Sequence, residues 1–144
     1  MILFLDFDGV LHPMSARLNA ESFCYLPRLE NVLREFSNVM IVITSTQREH
    51  LSLPILTRCF SVDIADRIIG ITPMLTIKNA EDIAESRYRE ILAYLSGNSK
   101  KWVALDDDIT LFPCNCPELI LCNDGFHDAE DVALRALLKQ ASLL

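Results

Sequence analysis

The first thirteen residues, MILFLDFDGVLHP (1–13), contain the feature that decides the fold. Four apolar residues, Ile2 to Leu5, lead directly into Asp6, Phe7, Asp8 and Gly9. An apolar run without alternation is typical of a strand that is covered on both faces, as in a parallel sheet. This strand is therefore predicted to end in two carboxylates and a glycine, and that ending requires a physical reason.

Similar apolar runs recur along the chain and alternate with segments of helical spacing. The predicted strands are residues 2–6, 39–44, 67–72, 102–106 and 119–122. The predicted helices are residues 29–36, 47–59, 80–95 and 127–143. This alternation indicates an α/β fold, a single three-layer Rossmann-like domain over residues 1–144 with a five-stranded, mainly parallel sheet. Residues 12–27, which include Asn19, form the longest irregular segment and are predicted to be a flap over a site.

Composition and charge limit the classes of protein to which the chain can belong. Of its 144 residues, 51% are hydrophobic and 23% are charged, which excludes disordered and low-complexity classes. A net charge of -7 opposes unaided binding to nucleic acid or to an acidic membrane surface. No apolar run approaches the ~20 residues of a membrane span, so we expect a cytoplasmic protein without membrane contact. The sequence predicts no particular oligomeric state.

Five cysteines without framework spacing favour reduced thiols over disulfides. The stretch PCNCP (113–117), with Cys122 beyond it, leaves a zinc site as an alternative. A zinc site needs four ligands, commonly in paired spacing, and the sequence does not supply an evident fourth. We therefore interpret the cysteines as small hydrophobic residues.

Polar residues follow three of the predicted strands at their carboxyl ends, where ligands bind in parallel α/β sheets. They are Asp6 and Asp8, Thr44 and Ser45, and Asp106, Asp107 and Asp108. Five carboxylates at one edge repel one another, and a cation would relieve that repulsion. Hard oxygen ligands of this kind suit Mg²⁺, which binds one or two carboxylates together with waters and a substrate phosphate.

The motifs DFDGV, ITS and ALDDD, in this order, resemble those of the haloacid dehalogenase (HAD) superfamily, most of whose members are phosphohydrolases. The longer stretch FLDFDGVLHP, the REI of the third helix and the DDD strand end are similar to a small branch without a cap domain. That branch includes the HAD domain of Swiss Army Knife RNA repair proteins. The alternative for DFDG alone is an ordinary turn after a strand.

The resemblance implies that Asp6 attacks phosphorus and that Asp8 acts as the acid and then the base. Gly9 lets the chain turn tightly beneath the phosphate. The implied metal ligands are Asp6, the Asp8 carbonyl, Asp106 and Asp107, and which of the last two binds directly stays open.

Thr44 and the backbone N–H of Ser45 are the implied phosphate ligands; the alternative is that both residues only cap the following helix. The third motif needs one cation, for which Arg87 is preferred and Lys78 is the second choice. An exposed Arg87 paired with Glu90 or Glu85 is the alternative.

Three further residues are assigned from local pattern alone. Asp108 is predicted to be an N-cap. Arg48 is predicted to extend into solvent, with substrate contact as the alternative. His12 is predicted to be a surface residue, with contact to the leaving group as the alternative.

The leading functional hypothesis is a Mg²⁺-dependent phosphomonoester hydrolase that acts through an aspartyl-phosphate on a substrate of undetermined class. The first alternative is a noncatalytic or regulatory module of the same fold. The second is a nucleic-acid 3'-phosphatase within a repair complex, in which a partner delivers the polynucleotide because the chain itself lacks a basic groove.

Overall fold

A computed structural model of the chain describes residues 1–16 and 22–143 and contains one five-stranded sheet. The strands are β1 (Ile2–Leu5), β2 (Met40–Ile43), β3 (Ile68–Ile71), β4 (Trp102–Asp106) and β5 (Leu119–Leu121). Their order is β3-β2-β1-β4-β5, and every pairing is parallel. The predicted α/β fold is confirmed, and each strand lies within its predicted segment.

Helices cover both faces of this sheet. The α-helices are α1 (Leu26–Glu35), α2 (Leu53–Leu56), α3 (Val62–Ala65), α4 (Ser86–Leu95) and α5 (Asp128–Ser142). Single 3₁₀ turns occur at Thr46–Glu49, Thr57–Cys59, Ala80–Asp82 and Ile109–Leu111. Within the described ranges, no helix combines the length and the apolar character that crossing a bilayer requires.

The fully buried strand β1 divides the core into two layers. On one face Leu3 and Leu5 belong to a cluster that includes Leu33 of α1 and Leu134 of α5. On the other face Phe4 belongs to a cluster with Ile91 of α4. Each such buried side chain contributes about 1.5–3 kcal/mol, which explains why an uninterrupted apolar run predicted this strand correctly.

The predicted helix at residues 47–59 is wrong. A 3₁₀ turn, the short helix α2 and a second 3₁₀ turn occupy this segment. Pro54 lies at the start of α2, and a proline ring clashes with the carbonyl four residues earlier, so a helix cannot continue through it.

The predicted helix at residues 80–95 is shorter than expected, because α4 begins only at Ser86. Glu85 before it adopts a left-handed backbone conformation (φ 58°), which a continuous helix excludes. Within this segment Ile91 and Leu95 are buried, whereas Ile83 and Leu92 are 48% and 45% exposed.

The sheet order places the candidate site. From β1 the chain proceeds outward to β2 and β3 and then crosses to β4 on the opposite side of β1. A crevice at such a switch point, beyond the carboxyl ends of the strands, is where open α/β sheets bind ligands. The segments between strands contain at most 34 residues (6–39), too few for a cap domain in addition to helix α1. The predicted flap falls partly on residues 17–21, including Asn19, which lie outside the described residues.

Candidate active site

Three carboxylates meet at the carboxyl ends of β1 and β4. Leu5 pairs with Leu105 across these neighbouring strands, so the residues that follow, Asp6 and Asp106, lie side by side. Asp6, Asp106 and Asp107 each place a carboxylate oxygen within 4.8 Å of those of the other two. Asp6 is 7% exposed and Asp106 is 1% exposed. Parallel strand register thus brings together three of the five carboxylates that the sequence predicts at this edge.

Burial is the main cause that shifts the pKa of all three carboxyl groups upward. The pKa of Asp6 lies well above its usual 3.8, mainly because of burial and then because of the Asp106 charge. Burial also raises the pKa of Asp106 to about 6, although Arg87 opposes that shift. Asp107 is half-buried, and its pKa is also raised mainly by burial. Such a cluster favours either shared protons or a bound cation.

Arg87 is the cation of this cluster. It lies in the first turn of α4, is 5% exposed, and its Nη1 donates to Asp106 Oδ2 (2.9 Å) and Thr44 Oγ1 (3.2 Å). The same nitrogen is 3.6 Å from Asp6 Oδ1. The alternative of an exposed Arg87 is wrong, although the pairing with Glu90 that it included is present (Arg87 Nε to Glu90 Oε2, 3.7 Å). Lys78 is exposed in the loop before α4, and no observed contact within the described ranges joins it to the cluster.

Thr44 and Ser45 follow β2 on the other side of β1, and both are buried. Ser45 Oγ accepts from the backbone N–H of Gln47 (3.2 Å), which makes Ser45 the N-cap of the 3₁₀ turn Thr46–Glu49. The Thr44 hydroxyl faces Arg87 instead. The capping role is therefore confirmed for Ser45, while Thr44 lies beside the carboxylate cluster.

The prediction that Arg48 extends into solvent is wrong, because Arg48 is only 6% exposed. Its guanidinium donates to the carbonyls of Thr44 (2.7 Å), Ser45 (3.1 Å) and Thr72 (3.1 Å). It also donates to Glu90 Oε2 (2.6 Å), which lies 3.7 Å from Arg87 Nε. Arg48 thus fixes the backbone of Thr44 and Ser45 through hydrogen bonds to their carbonyls.

We expect Glu90→Gln to lower the free energy of unfolding by about 3 kcal/mol, because removing one partner of a buried ion pair leaves the other uncompensated. Urea unfolding followed by circular dichroism measures this. The exposed Glu81→Gln is the matched control, expected to stay within about 0.5 kcal/mol of the wild type. Equal stability of the two variants would contradict the structural importance of the pair.

Gly9 adopts a left-handed conformation (φ 76°) in the turn after Asp8. A Cβ atom there would overlap the side chain of Asp107. The glycine is thus required both for the turn and for the approach of Asp107. The sequence indicated the turn but not the contact with Asp107.

Asp8 is partly exposed, and its side chain is held by His12. His12 Nε2 lies 2.7 Å from Asp8 Oδ1, and Gln47 Nε2 lies 3.5 Å from Asp8 Oδ2. The prediction of a surface His12 is wrong, since the residue is 2% exposed. The Asp8 carboxylate therefore lies beside the three-carboxylate cluster rather than within it.

A cleft of about 200 Å³ opens above these groups. Its lining residues are Asp6, Asp8, Met14, Thr46, Arg87, Asp106, Asp107, Asp108 and Leu111. Asp108 accepts from the backbone N–H of Thr110 (3.0 Å), which confirms its predicted capping role. Larger cavities, of about 410 and 370 Å³, lie at the opposite edge of the sheet around Met1 and Lys101, away from the acidic cluster.

The five cysteines are all free thiols, as predicted. Burial raises the pKa of Cys59 to about 12, and it also raises the pKa of Cys122. Among residues 1–16 and 22–143, no group of cysteines is placed to bind a metal ion, so the zinc alternative receives no support.

A parallel sheet whose central strand carries Asp6 and Asp8 at its carboxyl end, beside Thr44, Arg87 and the β4 aspartates, defines a HAD-like domain. Residues 2–130 match the family model described as the HAD domain in Swiss Army Knife RNA repair proteins, and the chain belongs to this family. The resemblance noted from the motifs is thereby confirmed. Comparison with curated proteins and with solved structures gave no match.

Proposed function

We propose that the chain is a Mg²⁺-dependent phosphomonoester hydrolase that forms an aspartyl-phosphate on Asp6. The observation that carries this proposal is the position of the Asp6 carboxylate beside both the Arg87 guanidinium and the Asp106 and Asp107 carboxylates. The site combines a nucleophile, a fixed positive charge and a candidate cation site at the floor of one cleft. Phosphoryl transfer needs this combination, since its catalysis is mostly positioning and charge stabilisation.

The reaction divides into two displacements. In the first, an Asp6 carboxylate oxygen attacks phosphorus, the bond to the leaving oxygen breaks, and Asp8 gives that oxygen a proton. In the second, Asp8 takes a proton from water as the water oxygen attacks phosphorus. The bond to Asp6 then breaks, which releases inorganic phosphate and restores the carboxylate. Asp8 lines the same cleft as Asp6, as both roles require.

Three hydrogen-bond donors of this chain would bind the phosphoryl oxygens. Arg87 supplies a charged donor that is already oriented by Thr44 and Asp106. The Thr44 hydroxyl and the backbone N–H of Ser45 supply neutral donors at the end of β2. Gly9 keeps the adjoining turn free of a side chain.

The donor set fits Mg²⁺. Three clustered carboxylates with raised pKa values offer hard oxygen ligands whose repulsion a divalent cation relieves. Asp6, Asp107 or Asp106, and the Asp8 carbonyl would hold the ion. When bound, it supplies charge neutralisation for the phosphoryl oxygens.

A 3'-phosphatase acting on RNA ends is the second candidate, because the matched family is named for RNA repair proteins. The acidic chain favours a partner that delivers the polynucleotide.

A phosphatase screen with and without Mg²⁺ tests the proposal. The substrates are nucleotides, sugar phosphates, phosphopeptides and 3'-phosphorylated oligonucleotides. We expect phosphate release that requires Mg²⁺, whereas no release from any class would favour a noncatalytic module. If oligonucleotides react, a steep loss of activity with added salt would indicate direct contact with the polynucleotide.

A further inference from the structure

The side chain of His12 has both ring nitrogens engaged, and this determines where its proton lies. Its Nδ1 accepts from the backbone N–H of Phe23 (3.0 Å). A backbone amide can only donate, so Nδ1 is unprotonated and the proton of the neutral ring must reside on Nε2. That nitrogen lies 2.7 Å from Asp8 Oδ1. The imidazole is therefore an oriented donor to one oxygen of Asp8.

The surroundings hold the ring in this orientation. His12 is 2% exposed, and its ring packs edge-on against Phe23 with the centroids 5.0 Å apart. The backbone is fixed as well. The Gly9 N–H donates to the His12 carbonyl (2.9 Å), and the backbones of Asp8 and His12 form an isolated β-bridge. The contact between His12 and Asp8 thus closes a short, rigid loop.

From this geometry we infer that His12 is the positioning residue for Asp8, an inference that rests on the proposed phosphatase function. Oδ1 of Asp8 is occupied by His12, so Oδ2, beside Gln47, is the oxygen left to exchange protons with the substrate. Without the His12 donor the carboxylate could rotate away from the cleft. Displacements of about 1 Å in such groups cost on the order of 10²-fold in rate.

Two substitutions separate this role from a purely structural one. The amide of asparagine reaches the position of ring Nδ1, and that of glutamine reaches the position of Nε2. His12→Asn therefore keeps an acceptor for the Phe23 N–H and removes the donor to Asp8. His12→Gln keeps the donor to Asp8 and removes the acceptor. A positioning role predicts that only the asparagine variant loses proton transfer.

The measurement is the single-turnover rate on an alkyl phosphate and on an aryl phosphate with an acidic phenol. For His12→Asn we expect the alkyl ester to slow by about 10- to 100-fold, the aryl ester to change less than about threefold, and KM to stay constant. His12→Gln should retain the wild-type ratio of the two rates. Equal slowing of both esters by His12→Asn, equal loss in the two variants, or wild-type rates in His12→Asn would each overturn the inference.

A readout that is independent of turnover is the ¹⁵N NMR spectrum of the His12 ring. We expect the proton on Nε2 and an unprotonated Nδ1, as the contact with the Phe23 N–H requires, and a ring protonated on Nδ1 would overturn the inference. A wild-type protein that hydrolyses no ester would refute the proposed function, and the positioning role would fall with it. An active wild type matched by an equally active His12→Asn would refute the positioning role alone.

Discussion

Asp6→Asn will abolish turnover, by a factor of about 10⁴ or more, while the protein remains folded. The amide has nearly the shape of the carboxylate but cannot form the acyl phosphate, so the first displacement has no nucleophile. Phosphate release from the best substrate of the screen measures the loss, and circular dichroism confirms the fold. Wild-type activity in this variant would refute the aspartyl-phosphate mechanism. The exposed Asp66→Asn is the matched control and should retain full activity.

The same variant should be more stable than the wild type in metal-free buffer at neutral pH. The pKa of Asp6 is higher in the folded protein than its usual 3.8, so the folded state binds this proton more tightly than the unfolded state. The ionised Asp6 carboxylate therefore lowers the free energy of unfolding once the pH rises above the pKa of Asp6 in the unfolded state. The asparagine amide does not ionise, so the variant avoids this destabilisation. A lower melting temperature for Asp6→Asn than for Asp66→Asn would contradict this sign.

Added Mg²⁺ provides the complementary measurement on stability. It should raise the melting temperature of the wild type, because it binds the folded carboxylate cluster and not the unfolded chain. The shift should be smaller in Asp6→Asn, which lacks one of the three clustered carboxylates. No shift of the wild type in millimolar Mg²⁺ would refute the cation site, whether or not the protein is a phosphatase.

The parts of the site that the sequence predicts correctly depend on strand register. Asp6, Thr44 and Asp106 each follow an apolar run, and parallel strands bring such positions to one edge regardless of the loops between them. Asp108 is also predictable, because a cap bonds to a backbone N–H only two residues away. Local pattern suffices for these residues.

Arg48, which the sequence assigns wrongly, is a polar side chain buried by distant contacts. Arg48 is held by Thr72 and by Glu90, which are 24 and 42 residues away along the chain. The sequence around Arg48 does not indicate these distant partners, and arginine side chains are usually exposed. The preferred cation, Arg87, does lie at the cluster, but its advantage over Lys78 depends on where α4 begins, directly after the left-handed Glu85.

Asp8→Asn should slow the first turnover of an alkyl phosphate by about 10² to 10⁴-fold, because the departing alkoxide needs a proton that the amide cannot give. An aryl phosphate with an acidic phenol needs little such help, so its first turnover should slow far less. The side-chain carbonyl of the introduced asparagine can still accept from His12 Nε2, so the variant should keep the geometry of the loop. Single-turnover rates on the two esters measure the difference.

The second displacement gives this variant a signature that no structural defect reproduces. Without Asp8 as the base, water attacks the aspartyl-phosphate slowly, so the aryl ester should release one equivalent of phenol and then stall. Mass spectrometry of the acid-quenched protein should show one added phosphoryl group, and peptide mapping should place it on Asp6. Equal wild-type and variant rates on both esters would deny Asp8 any role in proton transfer. A stalled variant without the added mass would refute the covalent intermediate, because the phosphoryl group must reside on the protein between the two steps.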